Sequence, residues 1–266
     1  MNELDVSVIV PTYHRERELL EAINSVRGQR GVALEIIVVD DSPQGSAREA
    51  VASLNDSRIR YVRRPEPSNG RPAKVRNDGA ALASGRFLYF LDDDDVLEAD
   101  TLSELSRALD AVPQAGMSFG VIAPFGINEE IVRRNEKYFA DARRIALKLR
   151  GPNQLSACLT FRPAILVCSA GMARREFFEA VGGFDTEIPI CEDAELWARI
   201  ASGRGHVFID RTVVRYRTGA PSLMHNLAEN DEKLDASYRR IQGKYRQAQG
   251  TLMFYAMKIW TRLILR

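Results

Sequence analysis

Residues 87–96 read FLYFLDDDDV, an apolar run that passes directly into four consecutive carboxylates. A short uninterrupted apolar run predicts a strand that is buried on both faces of a sheet. Residues 92–95 then lie at the carboxyl end of this strand, where open α/β sheets bind their ligands. Adjacent like charges repel unless they are solvated or neutralised by a divalent cation, and carboxylate oxygens suit Mg²⁺ or Mn²⁺. The alternative is a solvated acidic turn that caps a helix beginning near Ala99.

Strands and helices alternate along the chain around this stretch. The patterns predict strands at 6–10, 34–39 and 58–62, and helices at 15–27, 47–54 and 73–84. Repeated strand–helix alternation predicts an α/β fold with a doubly wound, mostly parallel, Rossmann-like sheet. Residues 1–113 form the more regular half, and they contain neither GxGxxG nor GxxxxGK[ST]. A nucleotide, if one binds, is therefore expected to be held by strand-end carboxylates and a metal.

The second half, residues 114–226, has a weaker pattern. It predicts strands at 116–123, 165–169, 207–209 and 212–216, and helices at 129–149, 174–181 and 191–201. Residues 151–162 and 218–226 are expected to be loops. This smaller, mixed portion completes the sheet of the same domain.

Residues 227–266 are predicted to form a C-terminal helical extension. From Leu234 onward, apolar residues recur three and four positions apart in spite of Gly243 and Gly250, which indicates a long helical seam. The final part is mostly apolar with a narrow polar stripe. Three partners suit such a helix: its own domain, a second chain in a dimer, or the surface of a bilayer as a peripheral contact.

The composition excludes several classes of protein. The chain has 266 residues, 45% hydrophobic content and a net charge of +1, so no electrostatic nucleic-acid partner is expected. Three widely spaced cysteines give neither a zinc pattern nor a disulfide framework, which favours a reducing compartment. The first residues lack a basic segment before their apolar run and do not resemble a signal peptide. We therefore expect a cytoplasmic protein, with attachment to the cytoplasmic face of a membrane as the alternative.

Three acidic clusters follow or begin predicted elements: Asp40-Asp41, residues 92–95 and Glu192-Asp193. The first two come to the same edge of a parallel sheet. Each cluster alone is weak evidence for a site, but a metal–diphosphate site needs converging carboxylates and a separate base. Their joint placement therefore favours an enzyme.

The chain resembles the family 2 glycosyltransferases, which have the GT-A fold. The resemblance spans residues 6–217 and is carried by motifs in the family's order and spacing. They are VSVIVPTYHR, EIIVVDDSPQGS, KVRNDGAALASGRFLYFLDDDDVL, VGGFDTEI and CEDAELWARI. One departure is the absence of the family's glycine after Asp40-Asp41, where this chain has Ser42-Pro43. The turn is still expected, because proline suits its second position.

On the nucleotide side, the resemblance implies a base pocket at the end of the first strand. Pro11, Thr12 and Tyr13 would line this pocket, and Asp41 would hydrogen-bond the base. Asp40 is expected to be structural.

The family's DxD motif maps onto Asp92, Asp93 and Asp94. The resemblance implies that Asp94 binds Mn²⁺ or Mg²⁺ and that Asp92 contacts the ribose or the sugar. Arg76 matches a basic position near the donor, and Lys74 would assist it. For both cations the alternative is a solvated helix face.

On the acceptor side, the resemblance assigns Asp193 as the general base, and Glu192 would orient the acceptor or a loop. His225 lies in a region from which related transferases reach the metal or the diphosphate. The alternative for His225 is a flexible lid.

These assignments imply an inverting transferase that moves a hexosyl-type sugar from a nucleotide-diphospho-sugar, a UDP-sugar first, to a saccharide or lipid-linked acceptor. Cell-envelope or polysaccharide assembly is the expected setting. The alternatives are a nucleotidyltransferase and a catalytically silent carbohydrate-binding relative on the same fold.

Overall fold

The acidic stretch follows a buried strand, β4, which covers Phe87–Phe90 and has every residue inside the protein. The structure is a computed structural model that describes residues 4–161, 166–219 and 227–264. The other described strands are β1 Val6–Thr12, β2 Leu34–Asp40, β3 Ile59–Arg63, β5 Val96–Leu97, β6 Met117–Phe125, β7 Gly171–Arg174 and β8 His206–Arg217. The described helices are α1 Glu16–Arg27, α2 Arg48–Ser53, α3 Pro72–Ala80, α4 Thr101–Asp110, α5 Glu129–Ala146, α6 Pro152–Phe161, α7 Arg175–Ala180, α8 Glu192–Ala201, α9 Leu227–Gln249 and α10 Thr251–Ile264.

These strands form one eight-stranded sheet in the order β3-β2-β1-β4-β7-β6-β8-β5. Strands β3, β2, β1 and β4 run parallel, as strand–helix alternation predicts. Strand β7 runs antiparallel to both β4 and β6, whereas β8 is parallel to β6. The predicted doubly wound, mostly parallel sheet with a mixed second portion is confirmed. Strand β4 lies where the two portions join, so its acidic end faces both of them.

A glycine allows α3 to lie unusually close to the sheet. A Cβ atom on Gly79 would stand 2.5 Å from Ile9 Cγ2 and 3.0 Å from Val39 Cγ2, so no larger residue fits there without displacement. This close approach places Arg76, one turn earlier on α3, beside the carboxyl end of β4.

Three predictions for the second half are wrong. Residues 151–162 are not a loop, because most of them form α6, whose buried Leu155, Cys158 and Leu159 pack in the core. The strand predicted at 165–169 is instead a 3₁₀ turn at Cys168–Ala170 followed by β7. The two predicted closing strands are one strand, β8, with an irregular register against β6. Residues 155–160 of α6 are all buried, so this helix lacks the exposed polar face by which an amphipathic helix is recognised.

The C-terminal extension consists of two helices rather than one seam. Gly250 has φ +81°, a left-handed conformation that favours glycine and ends α9. Gly243 stays inside α9. The aromatic rings of Phe161, Tyr245 and Phe254 meet at centroid distances of 5.1–6.5 Å and join α6, α9 and α10.

Candidate active site

The four carboxylates after β4 are held by neighbouring strands and loops. The backbone N–H of Asp92 donates to Ser169 Oγ at 3.0 Å, across the junction between the two portions of the sheet. Thr12 Oγ1, at the end of β1, donates to Asp93 Oδ2 at 2.8 Å. The Tyr13 N–H approaches the same oxygen at 3.4 Å. The end of β1 and the DxD motif are therefore in direct contact.

Arg15 is a site residue that the sequence analysis missed. Its guanidinium donates to Asp94 Oδ2 at 2.5 Å and to Asp93 Oδ1 at 3.2 Å. Such contacts join positions almost eighty residues apart and leave no local pattern. The signal that was available is position: Arg15 ends the first family motif, at the edge of the sheet where the acids lie.

Arg76 joins the acids of β4 to the acids of α8. Its side chain donates to Asp92 Oδ1 at 2.6 Å and to Glu192 Oε1 at 2.5 Å. Arg76 is buried, so a solvated helix face is wrong for this residue. Lys74 is exposed on α3, which agrees with that alternative. One guanidinium therefore brings together two acidic clusters about a hundred residues apart along the chain.

Asp193 lies at the start of α8, beside Glu192. The preceding residue, Cys191, has φ +61°, which is uncommon for a residue with a side chain and turns the chain sharply into the helix. Asp193 Oδ1 accepts a hydrogen bond from the Ala194 N–H at 2.8 Å. Burial, with the charge of Glu192 added, raises the pKa of Asp193 to about 7. A carboxyl group with this pKa is suited to take a proton near neutral pH.

Three of the acids that follow β4, Asp93, Asp94 and Asp95, also have raised pKa values. Burial raises the pKa of Asp93 to about 7, although Arg15 opposes the shift. Burial and the charge of Asp92 raise the pKa of Asp94 and, more strongly, that of Asp95. Arg217 is close, since its N–H donates to Asp95 Oδ1 at 2.9 Å and its Nε to the Asp94 carbonyl at 2.8 Å. Negative charge is thus in excess at this edge of the sheet.

The predicted base pocket lies at the ends of β1 and β2. Asp41 is buried and accepts from Arg64 Nη1 at 2.8 Å, from the Ser68 N–H at 2.7 Å and from Ser68 Oγ at 2.5 Å. The neighbouring Asp40 accepts from the Ser42 N–H, the Ala47 N–H and the Tyr61 hydroxyl, which matches its expected structural role. Pro11 is half-buried, and Tyr13 is 53% exposed, so the Tyr13 ring is available to a ligand.

Two tyrosines stand near Asp193 on the acceptor side, and the sequence analysis assigns neither. Burial, together with Cys191 and Asp193, raises the pKa of Tyr138 on α5 to about 12. The same groups and burial raise the pKa of Tyr238 on α9. Helices α5 and α9 therefore both border the predicted base.

The oxygen ligands available at this edge of the sheet fit a hard divalent cation. Asp94 and Asp92 offer carboxylate oxygens in a region of excess negative charge. Within residues 4–161, 166–219 and 227–264, no cluster of three or more acidic, histidine or cysteine side chains is arranged around one point. Mg²⁺ is commonly held by one or two carboxylates together with substrate phosphates, and this arrangement needs no such cluster. His225 lies outside the described residues.

Comparison with protein families matches residues 7–182 to the family described as Glycosyl transferase family 2. Because this match covers more than half of the chain, the protein belongs to that family. A 104-residue stretch is 42% identical to the GalNAc(5)-diNAcBac-PP-undecaprenol beta-1,3-glucosyltransferase of Campylobacter jejuni, covering 38% of this chain and 33% of that protein. The chain spans about a third of the length of this curated relative.

Two solved structures share the architecture. Staphylococcus aureus TarS 1-349 in complex with UDP-GlcNAc superposes with a TM-score of 0.65 at 19% identity, covering 91% of this chain and 67% of that one. Mannosyltransferase PcManGT from Pyrobaculum calidifontis, in complex with GDP-Man and Mn2+, gives a TM-score of 0.64 at 20% identity, covering 93% of this chain and 65% of that one. The expected GT-A fold is confirmed. None of the described helices is long and apolar enough to cross a bilayer.

Proposed function

We propose that this protein is an inverting glycosyltransferase that moves a sugar from a nucleotide-diphospho-sugar to an acceptor hydroxyl. The observation that carries the proposal is the contact of Arg76 with both Asp92 and Glu192, at 2.6 and 2.5 Å. It unites a strand-end acidic cluster, suited to a diphosphate and its cation, with a helix that presents a base. Membership of Glycosyl transferase family 2 supports the same chemistry.

On the donor side, the base of the nucleotide enters the pocket bordered by Pro11, Tyr13 and Asp41. Asp41 is held by Arg64 and Ser68, so its carboxylate is already oriented before a ligand arrives. Asp92, fixed by Arg76, faces the ribose or the sugar. We place UDP-sugars first because the TarS structure contains UDP-GlcNAc.

Asp94, with Asp92 beside it, would hold Mg²⁺ or Mn²⁺ together with the diphosphate oxygens. Such a cation neutralises charge that builds on the departing nucleoside diphosphate. Arg15 and Arg217 contact the Asp94 side chain and its carbonyl, respectively, and they supply positive charge at the same place.

On the acceptor side, Asp193 removes the proton from the attacking hydroxyl. A general base of this kind contributes about 10²–10⁴-fold. The hydroxyl attacks the anomeric carbon opposite to the leaving diphosphate, which inverts the configuration and needs no covalent nucleophile. Glu192 is tied to Arg76 and is thereby kept from competing with Asp193 for the proton.

The acceptor that we favour is a lipid-linked saccharide used in cell-envelope polysaccharide assembly. The name of the Campylobacter jejuni relative specifies an undecaprenol diphosphate acceptor, and this supports the choice. Residues 1–113 are the proposed donor half and residues 114–226 the proposed acceptor half.

The test is a panel of UDP-, GDP- and dTDP-sugars with Mn²⁺, Mg²⁺ or EDTA, with nucleoside diphosphate release as the measurement. Release from one donor, loss with EDTA and an inverted anomeric signal by NMR would support the proposal. Release of pyrophosphate would instead identify a nucleotidyltransferase. Binding of a donor without any release would identify a silent relative.

A further inference from the structure

Helix α10 exposes an apolar stripe. Leu252, Tyr255, Ile259 and Leu263 are 87%, 51%, 59% and 66% exposed, respectively. They are spaced three, four and four residues apart, which places them on one face of a helix. Four large side chains in one continuous row are more than the scattered exposed apolar residues of an ordinary surface.

The opposite face of α10 is docked on the protein itself. Phe254 and Thr261 are buried, and the Phe254 ring lies 5.1 Å from the Phe161 ring of α6, measured between centroids. Docking on its own domain therefore accounts for one side of α10. Within the part of the chain that the structure describes, the stripe itself stays open to solvent.

The charges on α10 have one sign. The helix carries two basic residues, Lys258 and Arg262, and no aspartate or glutamate. Lys258 and Arg262 follow Tyr255 and Ile259 by three residues, so they lie along the edge of the stripe. Arg262 is exposed, and Lys258 extends over the Phe254 ring with its ammonium 5.9 Å from the centroid.

We propose that the stripe of α10 binds the surface of a bilayer that contains anionic phospholipids, with the helix lying in the headgroup region. An apolar face bordered by lysine and arginine is the pattern of such interfacial helices. Helix α10 has 14 residues, about 21 Å, which is shorter than the roughly 30 Å hydrocarbon core, so it lies on the bilayer rather than across it.

A second copy of the chain is a poorer occupant of this face. In a two-fold dimer the same patch meets itself, so the basic edge of one α10 would approach the basic edge of the other. No acidic residue on α10 is present to offset this repulsion. Anionic headgroups provide the missing complement.

The proposed bilayer surface is tied to the acceptor side of the site. Helix α9, which is joined to α10 at Gly250, contacts α8 through Lys244 Nζ and Glu195 Oε1 at 2.8 Å. It also contacts the preceding loop through Arg240 Nε and Asp185 Oδ2 at 2.8 Å. The role of these contacts rests on the proposed function. They would let a lipid-linked acceptor reach Asp193 while its lipid stays in the membrane.

The test is cosedimentation of the full chain with phosphatidylcholine vesicles and with vesicles of equal parts phosphatidylcholine and phosphatidylglycerol. We expect binding to the second kind only, weakened by added salt. The double variant Leu252→Gln/Ile259→Gln should lower the partition at least about tenfold, because two exposed anchors are lost. Ile127→Gln is the matched control, since Ile127 is 99% exposed on another surface and should bind like the wild type.

A second pair of variants tests the charge. Lys258→Gln/Arg262→Gln should weaken binding to the anionic vesicles, whereas Arg60→Gln/Lys148→Gln removes the same charge from exposed positions elsewhere and should not. Failure of the wild type to bind anionic vesicles, or wild-type binding by Leu252→Gln/Ile259→Gln, would overturn the proposal. A doubled mass in analytical ultracentrifugation that the same variant abolishes would overturn it in favour of self-association.

Nucleoside diphosphate release in the absence of vesicles separates this inference from the proposed function. Leu252→Gln/Ile259→Gln should retain wild-type donor turnover in solution, because α10 carries none of the proposed site residues. A wild-type protein that turns over the donor but does not bind anionic vesicles would refute the bilayer surface alone. Vesicle binding by a protein that turns over no donor would support the bilayer surface and refute the transferase.

Discussion

The acids at the end of β4 and the acid at the start of α8 are held in different ways. Asp92, Asp93 and Asp94 are each paired with an arginine, through contacts of 2.5–3.2 Å. Asp193 has no ion pair among the described residues, and its Oδ1 accepts a hydrogen bond from the Ala194 N–H. Paired carboxylates are fixed in place and suit binding, whereas Asp193, which no arginine in the described part of the chain holds, suits proton transfer. The predictions below test this difference.

Replacing the unpaired acid should have the largest effect. Asp193→Asn removes the proposed base, so we expect the transfer rate to fall by about 10²–10⁴-fold. Donor affinity should stay unchanged, because the proposed donor contacts belong to the other cluster. The measurements are steady-state transfer kinetics and titration calorimetry with the donor. Glu187→Gln, which neutralises an exposed acid in the loop before α8, is the control and should act like the wild type.

Replacing Arg76, whose guanidinium joins the two acidic clusters, should mainly reduce the stability of the fold. Arg76→Met leaves the buried Glu192 and the half-buried Asp92 without their shared partner, and breaking a buried pair typically costs about 3–5 kcal/mol in the free energy of unfolding. Arg76→Lys retains the charge but not the two-pronged geometry, so it should lose less. Chemical denaturation measures both. Equal stability of Arg76→Met and the wild type would show that the contact is not a strong one.

The pH dependence of kcat/KM and of stability should follow the ionisation of Asp193. The pKa of Asp193 is raised from 3.8 to about 7, so its basic form becomes abundant only as pH rises through 7. We expect kcat/KM to fall about tenfold for each pH unit below 7. The folded carboxyl group also keeps its proton between pH 4 and 7, where an unfolded one has lost it. Ionisation of Asp193 therefore reduces stability as pH rises through that window.

The Asp193→Asn variant gives the matched comparison for this pH effect. Its free energy of unfolding should decrease less than that of the wild type between pH 5 and pH 8, because Asn cannot ionise. If the free energies of unfolding of the two proteins changed with pH in the same way, Asp193 would have an ordinary pKa and the contrast between the clusters would be wrong.

The smallest effect is expected outside both clusters. Gly250→Ala places a side chain at φ +81°, which should cost about 1 kcal/mol in the free energy of unfolding. The Cβ itself meets no atom within 4 Å, so strain rather than collision is the cause. Gly243→Ala is the control, because Gly243 lies inside α9 and alanine favours a helix there. Thermal unfolding measures the pair, and donor turnover should not change in either.

How far the sequence predicts this molecule depends on the range of the interactions. Strand β4 and its acids are predicted because an apolar run followed by charges is a local pattern. Helix α6 is not predicted, because its polar Ser156 and Thr160 are buried along with its apolar residues, so no exposed polar face marks the helix. The resemblance supplies Arg76 and Asp193, whose contacts are long-range. Arg15 and Tyr238 are not predicted, because only the folded chain shows which groups their side chains approach.

The sheet itself has a consequence for substrate exchange. Strand β4 hydrogen-bonds both β1 of the proposed donor half and β7 of the proposed acceptor half, and the Asp92 N–H donates to Ser169 Oγ across that junction. A hinge that swung the halves apart would have to rupture a continuous hydrogen-bonded ladder. We therefore expect substrates to enter and products to leave through rearrangement of segments at the edge of the site. The central sheet should keep its shape throughout a turnover.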